Sequence, residues 1–366
     1  MSTNSEVQQS SAAMGTNSVA VPRIALVGVH GYGARHLINL RRLQDAGTLE
    51  LVAVADPRPP SAGELDASVA VFAAVEDLLA AGIRPDIVIA ATPIHTHTPI
   101  ALAALSAGAD VYLEKPAAGS LAQYQQIVDA AAESGRAVQV GFQSLGSQAL
   151  AVIEDTIGTG RIGEVRGISA TGLWVRDRAY FKRSRWAGKR TLDGVDVVDG
   201  VATNPLAHAV ATALRIAGAR GADDVAQVET DLYHAHEIEG DDTSVIRIRT
   251  SAGSTVLCAL TLCAQEQSEP FVTVHGTEGE LVFYYTSDVL ETTTSAGMRR
   301  ETFSRTDLLE NLLAHRSWGE PLLSSIADSG AFMRVLEQIR TSEPPAAVDP
   351  TYIDWVGEAE EGHPVI

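Results

Sequence analysis

The sequence predicts an α/β fold in two halves, and three observations predict it. Residues 21–143 alternate short apolar runs with helical stretches, the order of a parallel, doubly wound sheet. The first apolar run ends in a glycine-rich turn, and a helix follows. From 226 to about 303, strand-like runs succeed one another without helices between them, which implies a largely antiparallel sheet. The reading is an N-terminal Rossmann dinucleotide-binding domain over 21–145. A C-terminal α+β domain with a large, mostly antiparallel open sheet follows over 146–341. Residues 1–20 are expected to be a disordered tail, and 342–366 an extension.

The elements follow in order. "RIALVG" (23–28), "LELVAVAD" (49–56), "VAVF" (69–72), "DIVIAATP" (86–93), "DVYLEKP" (110–116) and "AVQVGFQ" (137–143) are continuous apolar runs. Strands buried on both faces read this way. Helices are expected at 33–46, 75–81, 97–107 and 120–134, each followed by a glycine stop: Gly47, Gly82, Gly108 and Gly135. Another helix spans 146–158. Residues 165–200 read as irregular, rich in Arg, Asp, Gly and Trp. A helix over 204–217 opens with Asn204-Pro205, an N-cap followed by proline at the first helical position. Strands such as "SVIRIRT" (244–250) alternate with period two, and two helices near 306–317 and 324–341 close the pattern.

Composition bounds the function. A chain of 366 residues suits two domains of about 150 each. Its net charge of −19 repels nucleic acid and anionic membrane surfaces. No apolar run reaches the ~18 residues that span a bilayer. The first 20 residues carry no basic residue and no apolar stretch, unlike a signal peptide. A cytoplasmic location is expected. Cys258 and Cys263 are too few for a disulfide scaffold or a Cys-rich metal site. On one strand they would stand ~17 Å apart, so two buried thiols are expected. Asp193, Asp196 and Asp199 recur at three-residue spacing without Cys or His partners, so no metal is expected.

"RIALVGVHGYGARH" sets Gly28, Gly31 and Gly33 between a strand and a helix, with His30 and Tyr32 among them. Such a turn lets backbone N–H groups approach a pyrophosphate at the helix N-terminus. His30 stands where G-x-G-x-x-G has its second glycine, and a glycine turn without a ligand is the alternative. Asp56, 23 residues after Gly33, fits the carboxylate that binds the adenosine ribose and favours NAD. It also fits the start of the turn "DPRPP". Arg58 nearby keeps NADP open.

"YLEKP" (112–116), after that turn and "ATPIHTH" (91–97), resembles the Gfo/Idh/MocA oxidoreductases. The resemblance runs over 22–341. It implies oxidation of a sugar, cyclitol or related hydroxyl with NAD(P). Lys115 would reach the reacting hydroxyl, Thr92 and Pro93 would border the nicotinamide, and His97 matches a histidine often seen there. Glu114 and Gln143 fall in cofactor-binding positions, and the usual arginine shortly after Gln143 is missing. Independently of the family, a lysine at a strand's C-terminal end faces the ligand crevice and can stabilise an alkoxide. An ion pair with Glu114 is its structural alternative.

"TNPLAH" puts Asn204 and His208 four apart, on one face of a helix. Family members often carry Asp and His at this spacing. Asparagine orients but takes no proton, so half of the usual pair is absent. His208 alone has a fitting unperturbed pKa. Asp199 is placed to meet polyol hydroxyls. "LWVRDRAYFKRSRWAGKR" (173–190) gathers cations and aromatics in an acidic chain. Trp174, Arg176 and Trp186 there suit sugar binding or a subunit contact. The expectation is an NAD(P)-dependent dehydrogenase of a sugar, cyclitol or glycoside hydroxyl, homodimeric or homotetrameric. A glycoside hydrolase or lyase working by transient oxidation and a non-catalytic cofactor-binding regulator are the alternatives.

Overall fold

The computed structural model describes residues 21–61 and 63–366; the expected N-terminal tail lies outside them. The first half holds β1 (Arg23–Val27), α1 (Gly33–Asp45), β2 (Glu50–Ala55), β3 (Ala70–Phe72), α2 (Val75–Ala80), β4 (Ile87–Ala90), α3 (His97–Ser106), β5 (Asp110–Leu113), α4 (Leu121–Ser134) and β6 (Val138–Val140). The strands form one sheet ordered β3-β2-β1-β4-β5-β6, all parallel. The order reverses between β1 and β4, where such sheets bind ligands. The expected glycine stops adopt the left-handed conformation that ends helices, with Gly47 at φ 70°, Gly82 at 81°, Gly108 at 83° and Gly135 at 62°.

The second half holds α5 (Ala149–Gly158), β7 (Val165–Leu173), α6 (Arg178–Lys182), β8 (Thr191–Leu192), β9 (Val195–Asp196), α7 (Ala207–Ile216), β10 (Val225–His234), β11 (Thr243–Thr250), β12 (Thr255–Thr261), β13 (Phe271–Gly276), β14 (Gly279–Tyr284), β15 (Val289–Thr294), β16 (Gly297–Thr302), α8 (Leu308–Trp318), α9 (Gly330–Thr341), β17 (Ala346–Ala347), β18 (Asp354–Val356) and β19 (His363–Val365). Nine strands build the large sheet, ordered β16-β15-β14-β13-β7-β12-β11-β10-β17. It is mostly antiparallel, with parallel pairs at β12·β7 and β10·β17.

Two expectations need correction. The stretch read as irregular begins with β7, a nine-residue strand at the centre of this sheet. Gly167 and Gly172 dilute its β pattern, and Gly172 is required by packing. A Cβ there would stand 2.5 Å from the Leu206 side chain, so the glycine lets the segment before α7 press on the strand. The helix expected from Asn204 starts at Ala207, with Leu206 as its N-cap residue. Asn204 sits in the preceding turn, its backbone N–H donating to the Gly200 carbonyl.

Two apolar clusters hold the molecule. The larger is continuous from the α2–α4 face of the first sheet to the covered face of the second. The smaller lies on the opposite face of the first sheet, where Leu37, Leu40 and Leu43 of α1 meet Ile24, Leu26, Ile87, Ile89 and Tyr112. Leu308, Leu309 and Leu312 complete that cluster. Helix α8, late in the chain, thus forms part of the first unit's core. The apolar runs along β12 and β14 turn Val256, Cys258, Leu260, Leu281 and Phe283 inward. The sheet's outer face still exposes Leu173, Tyr233, Val245 and Leu257. Both cysteines are buried and free, Cys258 on β12 and Cys263 beyond its end.

Candidate active site

The turn after β1 is built around two glycines that admit no side chain. A Cβ on Gly33 would stand 2.0 Å from the Gly28 carbonyl oxygen, and one on Gly28 would stand 2.5 Å from the Ala91 oxygen. Gly28 and Gly31 also have positive φ, 85° and 59°. Helix α1 starts without a side-chain cap and without an acidic residue in its first turn. Its N-terminal N–H groups and dipole are therefore left for an anion, and the turn fits a dinucleotide pyrophosphate.

Asp56 sits beside this turn. Its Oδ2 accepts from Val29 N at 3.0 Å and its Oδ1 from Arg58 N at 2.9 Å. Each oxygen keeps a further lone pair for a ribose hydroxyl. The two readings of Asp56 are thus compatible: the carboxylate shapes the turn and keeps lone pairs free. His30 Nε2 donates to the Arg58 carbonyl at 3.0 Å, and the Arg58 side chain is exposed. Tyr32 is half exposed at the mouth, its ring edge-on to His36.

Beneath lies a buried network. Glu114 Oε1 takes hydrogen bonds from His36 Nε2 at 2.8 Å and Gln143 Nε2 at 3.3 Å, while its Oε2 accepts from Lys115 N at 3.3 Å. Gly141 leaves the room, since a Cβ there would meet the Glu114 carboxylate at 2.9 Å. Glu114 is therefore an internal anchor for the strand ends rather than a Lys115 side-chain partner. His36, on α1, escapes sequence reasoning because it reads as one polar residue on a helix face. Both His97 ring nitrogens face main-chain carbonyls, Pro116 at 2.9 Å and Thr92 at 2.8 Å, and the neutral ring donates to one of them. Burial holds its pKa below the usual imidazole value. It ties the Thr92-Pro93 turn to the Lys115-Pro116 segment, whose peptide bond is cis. Thr96 Oγ1 donates to Thr92 Oγ1 at 2.7 Å.

Lys115 is the hub. Its Nζ donates to the Asn204 carbonyl at 2.9 Å and to Asn204 Oδ1 at 2.7 Å. Asn204 Nδ2 donates to Asp199 Oδ1 at 2.6 Å. Asp199 Oδ2 accepts from Gly188 N at 2.7 Å and lies 3.5 Å from an Arg183 nitrogen. Burial lowers the Lys115 pKa below 10.5, with Glu114 and Asp199 pulling it back. A carboxylate, that of Asp199, thus stands directly behind the Asn204 amide. The other two aspartates of the triplet pair elsewhere, Asp193 with Arg185 and Asp196 with Arg340, so the three do not converge.

His208 lies on the first turn of α7, its ring edge-on to Phe142. Its Nδ1 is 3.4 Å from Ser144 Oγ, which accepts from Thr212 Oγ1 at 2.9 Å. Burial first, then Lys115 and Arg305, lower the His208 pKa to about 3. Ser144 and Thr212 fix the ring, yet neither carries a sequence signal beyond Ser144 following the sixth strand.

Cations and rings alternate along 174–186. The Arg176 guanidinium lies 4.7 Å from the Trp174 ring and 5.1 Å from Tyr180; Arg183 lies 3.7 Å from Tyr180 and 4.7 Å from Trp186. This ladder ends at Asp199 through Arg183, so Trp174, Arg176 and Trp186 connect to the Lys115 cluster. Arg183 is the link the sequence did not single out.

Comparisons with known proteins identify the family. Residues 22–142 match the model of an oxidoreductase family with an NAD-binding Rossmann fold, and residues 151–282 match the GFO/IDH/MocA C-terminal domain. The chain is 26% identical over 218 residues to levoglucosan dehydrogenase of Pseudarthrobacter phenanthrenivorans, covering 53% of this chain and 54% of that one. It is 36% identical over 147 residues to inositol 2-dehydrogenase of Pseudomonas savastanoi pv. phaseolicola, covering 38% and 43%. The chain thus spans about half the length of these curated relatives. Two solved structures share the fold. One is the WlbA dehydrogenase of Bordetella pertussis in complex with NADH and UDP-GlcNAcA, at TM-score 0.70 and 23% identity over 87% of this chain and 95% of that one. The other is the aldose-aldose oxidoreductase of Caulobacter crescentus complexed with glycerol, at 0.69 and 19% over 87% and 96%. With both parts of the family pattern matched in order along one chain, the protein belongs to the GFO/IDH/MocA oxidoreductases and carries their NAD-binding Rossmann fold.

Proposed function

We propose that the protein is an NAD-dependent dehydrogenase acting on a secondary hydroxyl of a sugar or cyclitol. The observation that carries this reading is the state of Lys115. Two of its three ammonium hydrogens are spent on Asn204, and the third is left for a substrate oxygen. Gly28, Gly31, Gly33 and Asp56 would hold the dinucleotide, with Thr92, Pro93 and Gln143 lining the nicotinamide side. Once bound, the nicotinamide supplies the acceptor for the hydride leaving the carbinol carbon.

This chain's residues manage the proton and the charge. Lys115 donates to the substrate oxygen and stabilises the alkoxide as it forms. Burial keeps the His208 ring neutral around pH 7, so its free nitrogen can take a hydrogen bond from the substrate hydroxyl. A ring held near 3 is a weak base, and it takes the proton only as negative charge on the bound substrate raises that value. For Nε2 to be the accepting atom, Nδ1 carries the hydrogen and donates to Ser144 Oγ. Asp199, through Asn204, orients Lys115 and offsets its charge. The ladder from Trp174 to Trp186 offers ring faces and guanidinium hydrogens to a polyol. Named relatives support the substrate class, since they are dehydrogenases of levoglucosan and inositol.

The test is a panel of sugars, cyclitols and glycosides incubated with NAD, followed by NADH formation and by release of aglycone. Stoichiometric NADH supports the reading. Aglycone release without NADH accumulation would replace it with transient oxidation. We also propose that two copies associate through the outer sheet face bearing Leu173, Tyr233, Val245 and Leu257. A cytoplasmic location suits free thiols at Cys258 and Cys263.

A further inference from the structure

A second cluster of reactive side chains lies at the far ends of three adjacent strands, apart from Lys115. His236 follows β10, Asp242 precedes β11 and Cys263 follows β12. The pairings Tyr233↔Thr243 and Thr243↔Thr261 bring these ends together. Their donor atoms lie within 4.8 Å of one another, with Nδ1–Oδ2 at 2.9 Å and Sγ–Nδ1 at 3.8 Å. All three are buried, at 3%, 0% and 0% exposure. Phe181 and Trp355 wall the histidine, at 4.5 and 6.1 Å between ring centroids.

Two details do not fit a purely packed cluster. His236 Nε2 lies 3.1 Å from the Arg176 carbonyl, which can only accept, so this nitrogen carries a hydrogen. In the neutral ring, Nδ1 then presents a lone pair to a carboxylate oxygen, and two acceptors face each other unless a positive charge lies between. Asp242 Oδ2 already takes the N–H groups of Ala235 and His236, each at 2.8 Å. Its other oxygen, Oδ1, is buried with no hydrogen-bond partner, an expensive state for a carboxylate.

We propose that His236 Nδ1, the Asp242 carboxylate and Cys263 Sγ form a structural site for a zinc ion. Imidazole, thiolate and carboxylate are zinc's protein donors. Bonds of about 2.0–2.3 Å set tetrahedral donors roughly 3.3–3.8 Å apart. The sulfur–nitrogen separation already meets this, and the nitrogen–oxygen pair needs to open by about half an ångström. The ion gives Oδ1 its missing partner, so the carboxylate binds through both oxygens and completes four-coordination. Thiolate and carboxylate neutralise the dication, which a dry site requires. The Nε2 hydrogen bond to a main-chain carbonyl is the usual support of a metal-bound histidine. Enclosure makes the role mechanical: the ion clamps the β10–β12 ends to the Arg176 segment, the start of the cation–ring ladder.

The test uses the full chain and does not depend on the proposed reaction. The expected result is close to one zinc per chain after dialysis of protein purified without chelator, measured by plasma mass spectrometry. Cobalt added to chelator-treated protein should give a thiolate-to-cobalt charge-transfer band and tetrahedral ligand-field bands. Cys263→Ser should abolish that charge-transfer band, and Asp242→Asn, which removes a direct ligand, should weaken metal affinity by more than the about 10- to 100-fold that losing an outer-shell partner costs. Cys258→Ser should keep the band, which separates the two thiols. If a variant fails to fold, wild-type metal content and the cobalt spectrum still decide. Folded wild-type protein that holds no stoichiometric zinc and shows no charge-transfer band with cobalt overturns the site. In that case a shared proton joins His236 to Asp242.

Discussion

Lys115 has two hydrogen bonds to one residue, and that arrangement predicts how the site fails. Lys115→Ala removes the donor to the substrate oxygen and strands Asp199 behind Asn204. Turnover should fall by at least the 10²–10⁴-fold that positioned acid–base groups supply, as read by steady-state kinetics. His208→Ala should fall in the same range with NAD affinity nearly unchanged by calorimetry. Retained turnover would pass the proton role to another group. Asn204→Asp would set a second carboxylate 2.6 Å from Asp199, and like charges that close share a proton. It should impair activity rather than restore the family pair. His208 also sets an acid limit on stability. Its folded pKa is depressed from 6.5 to about 3, so the unfolded chain binds the extra proton between those values. Its contribution is fully present above about pH 6.5 and is lost as pH falls toward 3, up to a few kcal/mol. Denaturant midpoints measured from pH 7 to 4 should decline, and less steeply in His208→Gln. Lys115, Asp199, Asn204 and His208 were singled out in the sequence by their place at a strand end and before a helix and by the family resemblance, and the first three are hydrogen-bonded to one another. Their wiring was not, since Asn204 to Asp199 depends on a turn whose local residues signalled a helix cap.

At the scale of elements, the tightest constraint is the β1–α1 turn. Gly33→Ala would put a methyl group 2.0 Å from the Gly28 carbonyl oxygen, and main chain cannot yield as a side chain does. The expected cost is about 1–3 kcal/mol of stability together with weakened NAD binding, measured by thermal melting and calorimetry. Asp56 should make NAD bind at least about tenfold tighter than NADP, near 1.4 kcal/mol. Asp56→Ser should narrow that ratio while weakening both, because the Val29 N–H loses its partner oxygen. The parallel strands were readable as unbroken apolar runs with glycine stops. Strand β7 was not, because Gly172 serves the approach of Leu206 and, with Gly167, looks like a loop residue from sequence alone. Helix α7 starts later than expected because the Asn204 side chain is bound to Lys115 and Asp199 rather than to the helix's own N–H groups.

For the whole molecule, the outer face of the nine-stranded sheet is where the proposed assembly can be tested. Leu173, Tyr233, Val245 and Leu257 lie on one face across β7, β12, β11 and β10, each about 40% exposed. Among the described residues no helix covers them. Isologous pairing is the usual way to bury such a face. Light scattering at micromolar concentration should give a dimer or tetramer mass, and Leu257→Arg should shift it toward the monomer. A monomeric wild type would reject the assembly. Period-two alternation sends half of every apolar run inward, so β12 shows only Leu257 of its large apolar residues on that face.

Helix α8 imposes an order on the birth of the chain. A ribosome that has released the first 145 residues has delivered all six strands of the nucleotide-binding sheet. It has not yet delivered Leu308, Leu309 and Leu312, which share a core with Ile87, Ile89 and Tyr112. For the time taken to make roughly 160 further residues, at about 5–20 residues per second, that apolar surface stays bare. The nascent first unit is therefore a natural client for a chaperone, and it closes only when the chain returns to it.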